Sequence, residues 1–139
     1  MVMKEINGGV CAAQGFKASG IHCGVKEGSS PDKNDLALIL SEKECNAAAV
    51  YTLNRVKAAP IYVTMEHLED GVAWGVIANS GNANACCPMS HENAEAMCEA
   101  AAQATGRLLR TLWWVPPASS ARPSTSRRFR MVCPRWWQL

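Results

Sequence analysis

The sequence has no apolar run long enough to cross a bilayer as a helix. Its first residues, Met1-Val2-Met3-Lys4-Glu5-Ile6, lack the basic flank and apolar stretch of a secretory signal. Both absences read as a soluble, cytoplasmic protein. None of the seven cysteines forms a Cys-x-x-Cys pair, and their number is odd. Without an export signal, such cysteines read as reduced thiols, most of them buried as small hydrophobes. There is no G-x-S-x-G, H-E-x-x-H or Cys/His pattern of a known nucleophilic or metal enzyme. No phosphate-loop lysine and no internal repeat are found either, so nucleotide binding is unsupported. Acidic residues are missing altogether after Glu99, and lysine after Lys57.

What is present is a chain of 139 residues, 48% hydrophobic and 19% charged, with a formal net charge of +2. That length suits one domain with a usable core, and the hydrophobic fraction excludes a wholly disordered chain. The charge averages two unlike segments. Residues 1–106 hold all 12 acids against seven basic residues, a balance of −5, and residues 107–139 hold seven arginines, +7. Four of the five tryptophans (Trp113, Trp114, Trp136, Trp137) and four of the seven prolines also lie in the tail. Three readings of the tail compete. One is a disordered basic extension, although disordered segments are poor in tryptophan. Another is a nucleic-acid arm, with Arg127, Arg128 and Arg130 on phosphates and tryptophans stacked on bases. The last is a shifted reading frame, because GC-rich DNA read out of frame tends to yield Arg, Pro, Ser and Trp.

In the body, Gly15 to Lys26 alternates apolar residues (Phe16, Ala18, Ile21, Cys23, Val25) and predicts a strand with a bend. Residues 27–32 form a turn. Asp35 to Ser41 and Ala47 to Leu53 are short apolar runs whose length predicts buried strands. Pro60 opens a helix through Glu69, with Ile61, Met65 and Leu68 on one face and Gly71 ending it. Val72 to Ala78 predicts another buried strand. Ser90 is placed to cap a helix over His91 to Thr105, with Glu92 and Glu95 near its positive end. Met97, Cys98, Ala101 and Thr105 form its stripe, and Gly106 stops it. The fold class is α/β or α+β.

The candidate chemistry is sparse. Cys86-Cys87 with His91 offers metal ligands, but zinc sites need more donors at better spacing. His22, His67 and His91 read as structural or solvated, and Glu66, Glu69 and Asp70 as a solvated helix face. Asn79-Ser80-Gly81-Asn82-Ala83-Asn84 is the most unusual string. After a buried strand it could aim several N–H groups at an anion. Its residues favour a turn in which Asn side chains bond their own backbone. A stand-alone acyltransferase would need Ser80, Thr52 or a cysteine as nucleophile, and nothing singles one out. The residues call for no metal and no cofactor.

Several strings in fixed order do more than any one motif. They are Gly8-Gly9-Val10, Gly15-Phe16-Lys17-Ala18-Ser19-Gly20-Ile21 and Lys33-Asn34-Asp35-Leu36-Ala37-Leu38-Ile39. Ala48-Ala49-Val50-Tyr51-Thr52-Leu53-Asn54-Arg55-Val56-Lys57-Ala58-Ala59-Pro60 and Ala78-Asn79-Ser80-Gly81-Asn82-Ala83-Asn84-Ala85-Cys86 complete them. Residues 7 to about 106 thereby resemble the N-terminal part of the bifunctional ornithine acetyltransferase/glutamate N-acetyltransferase family of arginine biosynthesis. The resemblance implies part of an N-terminal-nucleophile α/β sandwich, whose precursor cuts itself before a threonine into α and β chains. It implies acetyl transfer from N-acetylornithine to glutamate through an acyl-threonine, with the threonine's own amine as base. Some members also accept acetyl-CoA. The implied partners are therefore these substrates and a β chain; a nucleic-acid partner ranks below them.

The family's oxyanion hole lies in a Ser-Thr-Gly-Val-Ile-Gly segment following the helix that matches residues 91–106. This chain has no such segment, nor the family's cleavage site or nucleophile, so no catalytic, cofactor-binding or metal residue carries over. Back-translation of the tail recovers the segment. A codon made of the third base of one residue and the first two of the next forces Val from Trp113-Trp114 and Gly from Trp114-Val115. Residues 115–121 then permit Ser-Thr-Gly-Val-Ile-Gly without interruption. Met131-Val132 forces Gly, and Trp136-Trp137-Gln138 forces Val-Ala. The expectation is a one-base frame change near Gly106 to Leu108. Residues 1–106 would then be acetyltransferase α chain, residues 107–139 an out-of-frame, disordered tail, and the truncated polypeptide inactive alone.

Overall fold

In a computed structural model, the structure describes residues 5–25, 28, 30–81, 85, 88–107 and 112–113, the last two by backbone alone. Four strands and two helices follow in the order β1 (Phe16–Ile21), β2 (Leu36–Asn46), α1 (Ala59–His67), β3 (Val72–Asn79), α2 (Ser90–Thr105) and β4 (Leu112–Trp113). The sheet order is β1-β2-β3-β4. β1 and β3 flank β2 antiparallel, with Ala18 opposite Ile39 and Leu38 opposite Ile77. β4 lies parallel to β3, with Gly75 opposite Leu112. A parallel neighbour needs a crossover, and α2 supplies it. The mixed α/β class expected from the sequence is the one observed.

Alternation along β2 explains the layering. Leu36 and Leu38 point to one face, where they meet Ile77 of β3, Val63 of α1 and Ala94, Met97, Cys98 and Ala101 of α2. Both helices therefore cover the same face of the sheet. Burying a side chain such as Val63 contributes about 1.5–3 kcal/mol. On the opposite face Ala37 is exposed, and Ile39 and Val76 are only partly covered.

β2 runs five residues past Ser41, and its register shifts between Leu40 and Cys45. Gly75 stands opposite Leu40 where the two strands come close. A Cβ there would collide with the Ile39 carbonyl oxygen and lie 2.9 Å from Leu40 Cδ2. A glycine inside a strand often marks such a close backbone approach.

Five expectations are corrected. The tail, expected to be disordered, contributes Leu112–Trp113 to the sheet as β4. Ala47 to Leu53 is not a strand. The Ala47 N–H donates to the Gly71 carbonyl at 2.8 Å, the chain then leaves the sheet, and Val50 and Leu53 stand 97% and 98% exposed. Three of the run's seven residues are alanine, which offers little area to bury. Local bonds also compete with a ladder: Asn54 N–H donates to Thr52 Oγ1 at 3.2 Å, and Val56 N–H to Asn54 Oδ1 at 3.1 Å. The first strand ends at Ile21, because Cys23 and Val25 turn their N–H groups to a side chain and away from a neighbouring strand.

The helix at Pro60 forms, but its buried residues are Ala59, Pro60, Val63 and Thr64. Met65 is exposed and Ile61 and Leu68 are half-buried, so the packed face is rotated from the one expected. Finally, Ser90 is the first residue of α2 and not its cap. The cap position is Met89, in the left-handed region at φ 55°, with no side-chain cap bond. Gly106 ends α2 as expected, at φ 64°. There Thr105 Oγ1 donates to the Ala101 carbonyl at 2.8 Å.

Candidate functional site

Two polar constellations stand out, one at an end of the sheet and one where α1 meets α2. At the sheet end, the last residue of β1, the first of β2 and the last of β3 lie side by side. Asp35, just before β2, is 5% exposed. Its Oδ1 accepts the Cys23 N–H, and its Oδ2 accepts the Val25 N–H at 2.8 Å. A buried carboxylate requires such partners. Its backbone carbonyl accepts the Ser80 N–H at 2.9 Å. His22 lies beside it, with Nδ1 2.7 Å from the Lys33 carbonyl and 3.7 Å from Asp35 Oδ2.

The unusual asparagine string begins in this junction. Asn79 is buried, and its Oδ1 accepts the Gly81 N–H at 3.1 Å, while its Nδ2 meets Met97 Sδ at 3.8 Å. For the described part of the string, this is the turn in which Asn bonds its own backbone. Asn82, Ala83 and Asn84 lie outside the described residues, so the anion-cradle reading of the full string is not tested.

The second constellation joins the helices. His67 Nε2 of α1 lies 3.4 Å from Glu95 Oε2 of α2, and His91 Nε2 of α2 lies 3.8 Å from Glu66 Oε1 of α1. Ligand-capable atoms of Glu66, His91 and Glu95 all fall within 4.8 Å of one another. Most of the His67 ring is buried, and its Nδ1 has no hydrogen-bond partner among the described residues. The sequence singles out His67, His91 and Glu66 separately, but not as one group. The signal that could have joined them is the Glu66-His67 pair and the four-residue step from His91 to Glu95, each placed on one helix. Glu69 and Asp70 are exposed, as a solvated face requires. The Cys86-Cys87 metal reading lies outside the described residues.

The proposed nucleophiles fare poorly. Thr52 is exposed and engaged in a local turn, and Ser80 is exposed at the end of β3. The expectation that most cysteines are buried as small hydrophobes is corrected for the described ones: Cys98 is buried, Cys23 and Cys45 are half-buried and Cys11 is exposed. Burial, with Glu95 and Glu99 adding like charge, pushes the Cys98 thiol up to about 12. A thiol so protonated is inert at neutral pH. Cys45 Sγ donates to Ser41 Oγ at 3.1 Å. Arg127, Arg128 and Arg130, the basis of a nucleic-acid arm, lie outside the described residues. Among the described residues no helix is long and apolar enough to cross a membrane.

Comparison with known proteins says what kind of framework these elements form. Residues 17–113 match the model of the ArgJ family. The bifunctional arginine biosynthesis protein ArgJ of Caldanaerobacter subterraneus subsp. tengcongensis is 48% identical over 84 residues, covering 60% of this chain and 20% of that protein. Its counterpart in Symbiobacterium thermophilum is 45% identical over 105 residues, covering 75% of this chain and 26% of that protein. The chain therefore spans about a fifth to a quarter of the length of these curated relatives.

Solved structures agree. ArgJ of Bacillus halodurans superposes with a TM-score of 0.72 at 32% identity, covering 91% of this chain and 64% of that one. Ornithine acetyltransferase of Mycobacterium tuberculosis, solved with ornithine, superposes at 0.71 and 31% identity, covering 89% of this chain and 66% of that one. The matched residues take in both α-helices and every described strand except the first residue of β1, and on that ground the chain belongs to the ArgJ family.

Proposed function

We propose that the body of this chain is the N-terminal part of a cytoplasmic acetyltransferase of arginine biosynthesis. That enzyme moves acetyl from N-acetylornithine to glutamate, and some of its kind also use acetyl-CoA. The reaction runs through an acyl-threonine supplied by a β chain. The observation that carries the reading is the family match over residues 17–113. The body's part is structural: a sheet with two helices on one face, and a junction at Asp35 and Asn79 that holds Ser80 and Gly81 at the end of β3. Residues 107–139 are, in this reading, a shifted frame. The family match runs seven residues past Gly106, to Trp113, so it does not itself mark the change of frame; the recovered Val-Gly-Ser-Thr-Gly-Val-Ile-Gly begins there.

The test is acetyl transfer from N-acetylornithine to glutamate, by this 139-residue polypeptide and by the product of its gene with one base restored near codons 106–108. No transfer is expected from the first and measurable transfer from the second. Transfer by the polypeptide alone would overturn the division of labour. An inactive restored product, or no long open frame after restoration, would overturn the reading itself. A nucleic-acid function is favoured by no observation among the described residues.

A further inference from the structure

The helix-face cluster is not absorbed by the proposed acetyl transfer, and its geometry points elsewhere. Glu66 and Glu95 bring two carboxylates within 4.8 Å of each other and of the His91 imidazole. Two anions so close repel unless a cation sits with them. Each group comes from a packed helix: Glu66 and His67 from α1, His91 and Glu95 one turn apart on α2. The backbone that positions them is thus fixed by core packing of Val63 against Met97 and its neighbours.

Imidazole nitrogen with carboxylate oxygen is the donor set of zinc-class divalent ions, at about 2.0–2.2 Å from the metal. Donors around a tetrahedral ion then stand roughly 3.3–3.6 Å apart. The His91 to Glu66 separation is 3.8 Å, and both side chains are about half exposed, free to close the remaining distance. His67 Nε2, 3.4 Å from Glu95 Oε2, is placed to hold that carboxylate from behind. Such an outer partner orients a metal ligand.

We propose that Glu66, His91 and Glu95 form a site for a divalent transition-metal ion of the zinc class. His67 orients Glu95, and water takes the open fourth position. The ion clips α1 to α2 and so stabilises the packing of both helices on the sheet. The site does not depend on the acetyltransferase reading.

The test titrates the full chain with Co²⁺, whose visible spectrum separates nitrogen and oxygen ligation from thiolate ligation, and repeats it with Zn²⁺ by calorimetry. One ion per chain is expected, with a spectrum free of thiolate-to-metal charge transfer. Glu66→Gln, Glu95→Gln and His91→Asn should each weaken binding by about tenfold or more. Cys86→Ser with Cys87→Ser should leave it unchanged. Glu66 is 58% exposed, so its isosteric replacement removes a ligand without removing core packing, and circular dichroism checks each variant. Absence of binding, binding insensitive to Glu66 and Glu95, or binding lost with the cysteine pair would each overturn the proposal. The last result would return the metal to Cys86, Cys87 and His91.

Discussion

Asp35 holds the end of the sheet together through a single carboxylate. Its two oxygens accept the N–H groups of Cys23 and Val25, and its carbonyl accepts that of Ser80. Asp35→Asn would keep one acceptor and turn an amide NH₂ toward the other N–H. The loss of a charge-assisted bond, with a buried donor left unmatched, should cost about 1.5–3 kcal/mol. A urea midpoint unchanged from the parent chain would refute this role. In the sequence Asp35 shows only as the start of an apolar run. Its partners lie 12 and 10 residues away, in a stretch that reads as more strand. The periodicity of Phe16 to Val25 was visible, but the turning of Cys23 and Val25 onto a carboxylate depends on where β2 brings Asp35. Nothing local encodes that.

At the scale of the element, α2 was the most legible part of the chain. Its buried stripe of Asn93, Ala94, Met97, Cys98, Ala101 and Ala102 follows the spacing of the sequence, and Gly106 ends it where a left-handed residue is needed. Its start was not legible, because a polar Ser90 resembles a cap while the chain enters through Met89. Nor was the His/Glu cluster, since the distances between α1 and α2 are set by the core beneath them and not by either helix alone. The buried stripe makes a pH prediction. The Cys98 thiol is raised from 9.0 to about 12, chiefly by burial and then by Glu95 and Glu99. The folded state therefore holds this proton more tightly than the unfolded chain. Its contribution to stability is complete below pH 9 and is lost as pH rises from 9.0 toward about 12. Urea titrations across that window should show the parent chain losing stability more steeply than Cys98→Ala. Equal slopes would mean that Cys98 ionises as readily folded as unfolded. Native alkylation should in turn spare Cys98 and label exposed Cys11.

Among the described residues, the outer sheet face and the segment between β2 and α1 both leave apolar surface open, and the two differ in what they demand. The face of the sheet opposite the helices is only partly uncovered, through Ala37, Ile39 and Val76. The segment between β2 and α1 is more extreme, with Val50, Leu53 and Val56 at 97%, 98% and 65% exposed. The same apolar run that predicts a buried strand from sequence thus lies in the open here. Single exposed hydrophobes are ordinary, but several close together favour association. A net charge of +2 opposes self-association only weakly. The chain alone should therefore form concentration-dependent oligomers in sedimentation velocity. Val50→Ser with Leu53→Ser removes two side chains that make almost no packing contact in the fold, so the urea midpoint should move by no more than about 0.5 kcal/mol equivalent. The same pair of changes should shift the sedimenting species toward monomer. If the distribution stays as it was, this segment does not drive association, and the open sheet face becomes the surface to test.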